Sequence, residues 1–145
     1  MKLSTKSRYG ARILVELARH HHLGTPVQVS EIARLQEIPV KYLEQIIRLL
    51  RLAGLVQSVR GPKGGHLLTA DPETITLAKV VRIFEGQEEL VECVGTPDAC
   101  TKSSLCLFRK VWKNATDALY DNLEQVRISD LIDDPCGPCE STGKK

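Results

Sequence analysis

The chain has 145 residues, 42% apolar and only 4% aromatic, with 20 Lys+Arg against 18 Asp+Glu for a net charge of +2. That is enough for one domain of ordinary size plus an appended element, around a core that must be mostly aliphatic. No apolar run approaches the ~18 residues of a membrane span, and Met1-Lys2-Leu3-Ser4-Thr5-Lys6 lacks the features of a signal peptide. No membrane association is expected and the chain reads as cytoplasmic, a setting where cysteines serve as metal ligands or reactive thiols more often than as disulfides.

The small net charge conceals a split. Residues 1–70 hold 11 basic and 4 acidic side chains, a balance of +7; residues 71–145 hold 9 and 14, a balance of −5. A basic half joined to an acidic half points the first, and not the second, toward a polyanion.

In chain order, Tyr9, Ile13, Leu14, Leu17 and Ala18 recur at helical spacing and predict a first helix from Thr5 to about Ala18, with Ser4 or Thr5 as N-cap. His20, His21 and His22 end it before Gly24 and Pro26. Three histidines suggest a metal, but consecutive helical residues point in different directions, so they read as solvated helix-end residues. A second helix is expected over Ser30–Gln36, then a tight turn at Ile38-Pro39-Val40, since proline disfavours helix at the residue before it. A longer helix follows from Val40 to Leu52, with Leu43, Ile46, Ile47 and Leu50 as its apolar stripe and Lys41, Glu44, Gln45, Arg48 and Arg51 on other faces. The pair matches a helix-turn-helix, although this segment alone also suits an ordinary helical hairpin.

The next residues separate the two. After Gly54, the segment Leu55–Arg60 alternates as a strand, Gly61-Pro62-Lys63-Gly64-Gly65 forms a turn, and His66–Thr69 returns. A hairpin with a basic, glycine-rich tip is a wing. A phosphate-cradling loop would need Walker spacing and a following helix, and Asp71-Pro72 stands there instead. A fourth helix is predicted from Thr76 to Glu85, closed by Gly86, then an irregular stretch carrying Cys93, Cys100 and Cys106. A long amphipathic helix from Ser104 to about Val126 places Phe108, Val111, Trp112, Ala115, Leu119, Leu123 and Val126 at spacings of three and four. A monomer of this size leaves such a helix partly uncovered, so a homodimer seam through Trp112, Leu119 and Leu123 is expected; packing back on its own chain is the alternative. Ile128–Ile132 reads as a short turn, and the end of the chain as disordered.

The expected fold is therefore mainly α with a small β-hairpin: a winged helix-turn-helix over residues 1–75, a cysteine loop and dimerisation helix over 76–132, and a tail over 133–145. No catalytic turnover is expected; the partners are a second copy and a double-stranded DNA operator.

The opening Met1–Gly10, the run Tyr42-Leu43-Glu44-Gln45 and the segment Leu55–Gly65 resemble the IscR-type bacterial winged-helix regulators, over roughly residues 1–132. The resemblance implies homodimers, many of which hold an iron–sulfur cluster and sense iron, cluster supply, nitric oxide or redox state; other members, the cysteine-metabolism regulators among them, lack a cluster. It implies that Lys41, Tyr42, Glu44 and Gln45 face the major groove and that Arg60 and Gly61 enter the minor groove. The chemistry agrees: Gln45 can pair with adenine, Glu44 can accept from cytosine, and an arginine suits a narrow minor groove. Lys6, Arg8 and Lys41 are expected to touch phosphates.

Cys93, Cys100 and Cys106 form C-x6-C-x5-C where cluster-binding members of the family have their three cysteines. Thiolates are the standard ligands of iron–sulfur clusters, 2Fe–2S or 4Fe–4S; thiol-based redox sensing and zinc are the alternatives. The family's namesake has a histidine three residues after the third cysteine. Here that residue is Arg109, which has no lone pair to offer. Other members take an acidic ligand from the partner's first helix, where this chain has Arg8 and Arg12, so the fourth ligand is unassigned. Cys136-Gly137-Pro138-Cys139 has thioredoxin-like spacing without that motif's flanking strand and helix, leaving a supplementary ligand or an oxidisable dithiol. A redox enzyme or electron carrier is the rival from another class, and the wing argues against it; a cluster-free winged-helix regulator that responds through thiol oxidation or a protein partner is the other alternative.

Overall fold

The computed structural model describes residues 2–86 and 89–133. Cys136 and Cys139 and the expected tail beyond residue 133 lie outside the described residues.

The first helix, α1 (Thr5–Arg19), starts where Ser4 accepts a hydrogen bond from the Ser7 amide at 3.2 Å, satisfying one of the free N–H groups of a helix start. It buries Ile13, Leu14, Leu17 and Ala18 and ends in a single turn over His21–Leu23. Helix α2 (Val29–Gln36) begins one residue earlier than the sequence suggests, capped at Gln28 without a side-chain bond. Ser30, the expected first residue, is therefore the second residue of the helix. Glu37 turns the chain in the left-handed region (φ 53°), Ile38 is buried, and Pro39 starts α3 (Val40–Leu52). This is the predicted helix-turn-helix.

Gly54 reverses the chain at φ 75°, and the Leu55 amide closes on the Leu50 carbonyl at 3.0 Å. Strands β1 (Val56–Val59) and β2 (Gly65–Leu68) then pair antiparallel, with Val56 opposite Leu68 and Val59 opposite Gly65. Strand β1 is shorter than the sequence pattern suggests, and β2 keeps its expected length but starts one residue earlier. Thr69 lies outside β2, where its hydroxyl bonds the Gly54 carbonyl. The hairpin is fixed to the body because Val27 and His66 exchange backbone hydrogen bonds of 3.0 and 2.8 Å. Gly65 permits this approach: it lies at φ 152°, and a Cβ there would strike the Val27 carbonyl.

Helix α4 (Leu77–Glu85) is capped by Thr76 and packs on α1, where a Cβ at Gly10 would collide with the Phe84 ring. The cysteine stretch is not irregular. It holds a short helix α5 (Glu92–Gly95) and single turns over Pro97–Ala99 and Ser103–Leu105. Helix α6 (Leu107–Glu124) starts three residues later than expected, because Ser103–Leu105 forms its own turn and Cys106 is extended. It ends two residues earlier, since Val126 returns to pair with the segment before α4. The Leu77 amide bonds Val126 at 2.8 Å, and the Ile128 amide bonds Ile75 at 2.9 Å.

That return completes the core. Ile128 is fully buried in one cluster with Leu14, Leu17, Leu50, Ile75 and Val80, so residues on both sides of position 75 build the same interior. Fully burying each large aliphatic side chain contributes about 1.5–3 kcal/mol. The architecture is mainly helical with one two-stranded wing, as the sequence predicts.

Candidate nucleic-acid interface and cysteine site

The apolar stripe of α3 faces the core, which leaves Lys41, Glu44, Gln45, Arg48 and Arg51 exposed on the opposite side. Tyr42, expected among the groove-facing residues, is half-buried. Its ring meets Tyr9 edge-on with centroids 5.9 Å apart, so it also joins α3 to α1. Lys6 is one turn before Tyr9, which places it on the side of α1 that adjoins the start of α3. Arg8 is exposed and donates to the Thr5 hydroxyl at 3.3 Å. Arg60 and Gly61 are exposed at the wing tip, where Gly61 takes φ 111° and accepts from the Gly64 amide at 2.9 Å.

Sequence reasoning singled out Arg48 and Arg51 only as polar positions. They line an open groove of about 530 Å³ with Leu52, Val56, Gln57 and Ser58, between the end of α3 and the wing. Two arginines three apart on α3 were the available signal, but the strand that completes the groove comes from a separate element. Among the described residues, Lys6, Lys41, Arg48, Arg51, Arg60 and Lys63 make no salt bridge with an acidic side chain. Cations left unpaired around one helix and a hairpin suit phosphates. His66 on β2 contacts the Ser58 hydroxyl at 3.2 Å; burial, then nearby Arg51, lowers its pKa below 6.5, against an opposing effect of Glu44. The protonated imidazole is thus disfavoured beside the basic groove.

All three cysteines of the loop are free thiols: Cys93 half-buried in α5, Cys100 exposed after the Pro97–Ala99 turn, and Cys106 half-buried immediately before α6. Arg109, in the first turn of α6, donates through Nε to the Cys93 carbonyl at 2.8 Å and through Nη2 to the Val94 carbonyl at 3.4 Å. The turn bearing Cys93 is thereby held against the helix start that follows Cys106. Among the described residues, no three His, Cys, Asp or Glu side chains are already converged as a metal-binding group. The donor chemistry itself, three accessible thiols on short turns, fits an iron–sulfur cluster. Neither Arg109 nor the arginines of α1 adds a ligand; Arg12 is engaged with Gln36 at 2.8 and 2.9 Å and lies over the Tyr9 ring.

A joint at the end of α4 ties the two regions together. The carboxylate of Glu85, at the end of α4, accepts from the Ser4 amide at 2.7 Å and from the Ser7 hydroxyl. Hydrogen bonding from Ser4 and then Ser7 holds its pKa below the ordinary glutamate value, against the opposing effect of burial. The start of α1, which carries Lys6 and Arg8, is therefore fastened to the helix that leads into the cysteine segment.

The Rrf2 family model, described as an iron-dependent transcriptional regulator, matches residues 3–134. Protein rrf2 of Nitratidesulfovibrio vulgaris is 41% identical over 134 residues, spanning 92% of this chain and 89% of that protein. The transcriptional regulator CymR of Bacillus subtilis is 37% identical over 131 residues, 90% and 89% of the two chains. The solved structure of CymR, the global cysteine regulator of B. subtilis, superposes with a TM-score of 0.75 at 35% identity, covering 91% of this chain and 96% of that one. IscR of T. potens gives 0.73 at 31%, covering 91% and 86%.

Proposed function

The chain belongs to the Rrf2 family of transcriptional regulators, and from that membership we propose that it is a cytoplasmic homodimer whose operator binding is set by an iron–sulfur cluster on Cys93, Cys100 and Cys106. The observation that carries the cluster reading is the placement of three free thiols on short turns, two of them next to the start of α6. When bound, the group supplies an iron with an incomplete set of protein ligands, open to oxygen or nitric oxide. The chain's own part is to present the three thiolates and to pass their arrangement on to α6 and α4.

For the DNA, Gln45 and Glu44 would read base edges, Arg60 and Gly61 the minor groove, and Lys6, Arg8 and Lys41 the phosphates, with Tyr42 holding α3 to α1. For the dimer, the first half of α6 supports a seam. Phe108 is 68% exposed, Val111 55% and Trp112 40%, a row of large apolar side chains uncovered on their own chain. Leu119 and Leu123 are half-buried where α6 lies along α4 and would continue the seam.

A second reading has its own support: the likeness to a cysteine regulator favours a cluster-free protein in which the same thiols are oxidised directly. Anaerobic purification separates the two. A brown protein is expected, with iron and sulfide close to one cluster per chain. Cys93→Ala, Cys100→Ala or Cys106→Ala should each bleach it, while changing Cys136 and Cys139 together should not. Colourless protein with intact operator binding would favour the second reading.

A further inference from the structure

We propose that Arg109 is the positioning residue of the cysteine site: its guanidinium clamps the turn carrying Cys93 to the start of α6, so that Cys93 and Cys106 are presented together. The two hydrogen bonds go to successive carbonyls, Cys93 and Val94, in the last part of α5. These carbonyls belong to a helix end, whose C=O groups lack partners within the helix and attract a cation. A planar guanidinium can serve two adjacent acceptors from one rigid fork, which an ammonium cannot. Among the described residues Arg109 makes no salt bridge with an acidic side chain, so its guanidinium is free to serve these two carbonyls.

The segment needs such a fastening. Cys93 and Cys106 are thirteen residues apart, joined by short turns with little buried apolar surface; Leu105 is 90% exposed. Without a tie between α5 and α6, little holds the first thiol near the third. Among the described residues, the other hydrogen bond from this stretch to a side chain of α6 runs from the Leu90 amide to the Thr116 hydroxyl, at 3.3 Å and nearly two turns farther along. Arg109 acts next to the thiols themselves. A residue unable to ligate metal thus stands one turn after the third cysteine and does a different task, ordering the ligands.

The clamp rests on the geometry above; only its effect on a cluster rests on the proposed function. Two measurements on the full chain keep these apart. In metal-free, reduced protein, alkylation of each cysteine by iodoacetamide is followed by mass spectrometry. Arg109→Ala should raise the rate at Cys93 several-fold, with Arg109→Lys close to Ala and Arg109→Gln, which can still reach one carbonyl, between Ala and wild type. In anaerobically loaded protein, Arg109→Ala and Arg109→Lys should both release iron to a chelator about tenfold faster than wild type, the scale expected when a partner that orients a ligand is lost.

Unchanged alkylation at Cys93 in both Arg109→Ala and Arg109→Lys would overturn the clamp. So would a lysine variant matching wild type in both assays, because charge alone would then suffice. If wild type takes up no iron while the Ala and Lys variants still expose Cys93, the clamp stands and the cluster reading falls.

Discussion

Gln45 and Lys6 sit on different helices and should fail in different ways when truncated. Gln45→Ala should cost about 1–3 kcal/mol on the true operator and relax the preference at one base pair per half-site. Lys6→Ala should weaken all sequences alike and lower the salt dependence by about one unit per chain. Arg60→Ala should lose most where the flanking minor groove is A/T-rich and narrow. Titrations against operator and scrambled duplex at several salt concentrations distinguish the three, and equal losses on both duplexes for Gln45→Ala would remove α3 from the reading role. His66 gives a separate pH prediction. Its native pKa lies below the unfolded value of 6.5, so the unfolded chain binds the proton more readily. Stability is then complete above about pH 6.5 and declines as pH falls toward the native pKa. Melting temperatures measured down to about pH 5 should show this slope, flattened in His66→Gln. At this scale the exposed polar positions of α3 were legible, because the apolar stripe assigns the opposite face. The structural half of Tyr42's role was not, since its partner Tyr9 lies 33 residues away on another helix.

Among the elements, α6 bears most directly on assembly. Trp112→Asp places a charge at the end of the uncovered row, beside Val111, where an unpaired buried charge costs several kcal/mol. Sedimentation should find a folded monomer. Leu119→Asp lies nearer α4 and should give monomer or insoluble protein, and a well-folded dimer from both variants would place the interface elsewhere. The periodicity of α6 was readable from spacings of three and four, but its start was not. The helix was expected from Ser104, yet Ser103–Leu105 closes its own turn and the extended Cys106 precedes the helix instead. The start of α2 was misplaced for a related reason, its cap residue Gln28 making no side-chain bond that a pattern could reveal. The wing was legible because glycines and a basic tip between two alternating runs leave few other folds, and only its strand ends shifted.

At the scale of the molecule, the cysteine segment is a loop that leaves from the end of α4 and returns through α6 to the foot of the same helix. Both ends are tied down: Glu85 to Ser4 and Ser7 at the start of α1, and the Val126–Ile128 return to Ile75 and Leu77 at the start of α4. Arg82 adds an ion pair to Glu124 and lies over the Tyr120 ring at 4.8 Å. A rearrangement of the loop would therefore shift α4 and α6 and change the spacing of two recognition helices in a dimer. None of this closure was visible in sequence, where Ile128 resembles part of a trailing turn; its burial depends on contacts with residues more than fifty positions earlier. The charge split was visible and has a counterpart in the unpaired cations around α3 and the wing. The most direct test of the account is operator affinity, on a duplex selected from a random pool by the protein itself, compared between anaerobically loaded and metal-free chains. The account predicts affinities that differ by at least about fivefold, the lower end of ordinary coupling between sites, and no such difference in Cys93→Ala. Equal affinity of loaded and metal-free wild type would contradict it.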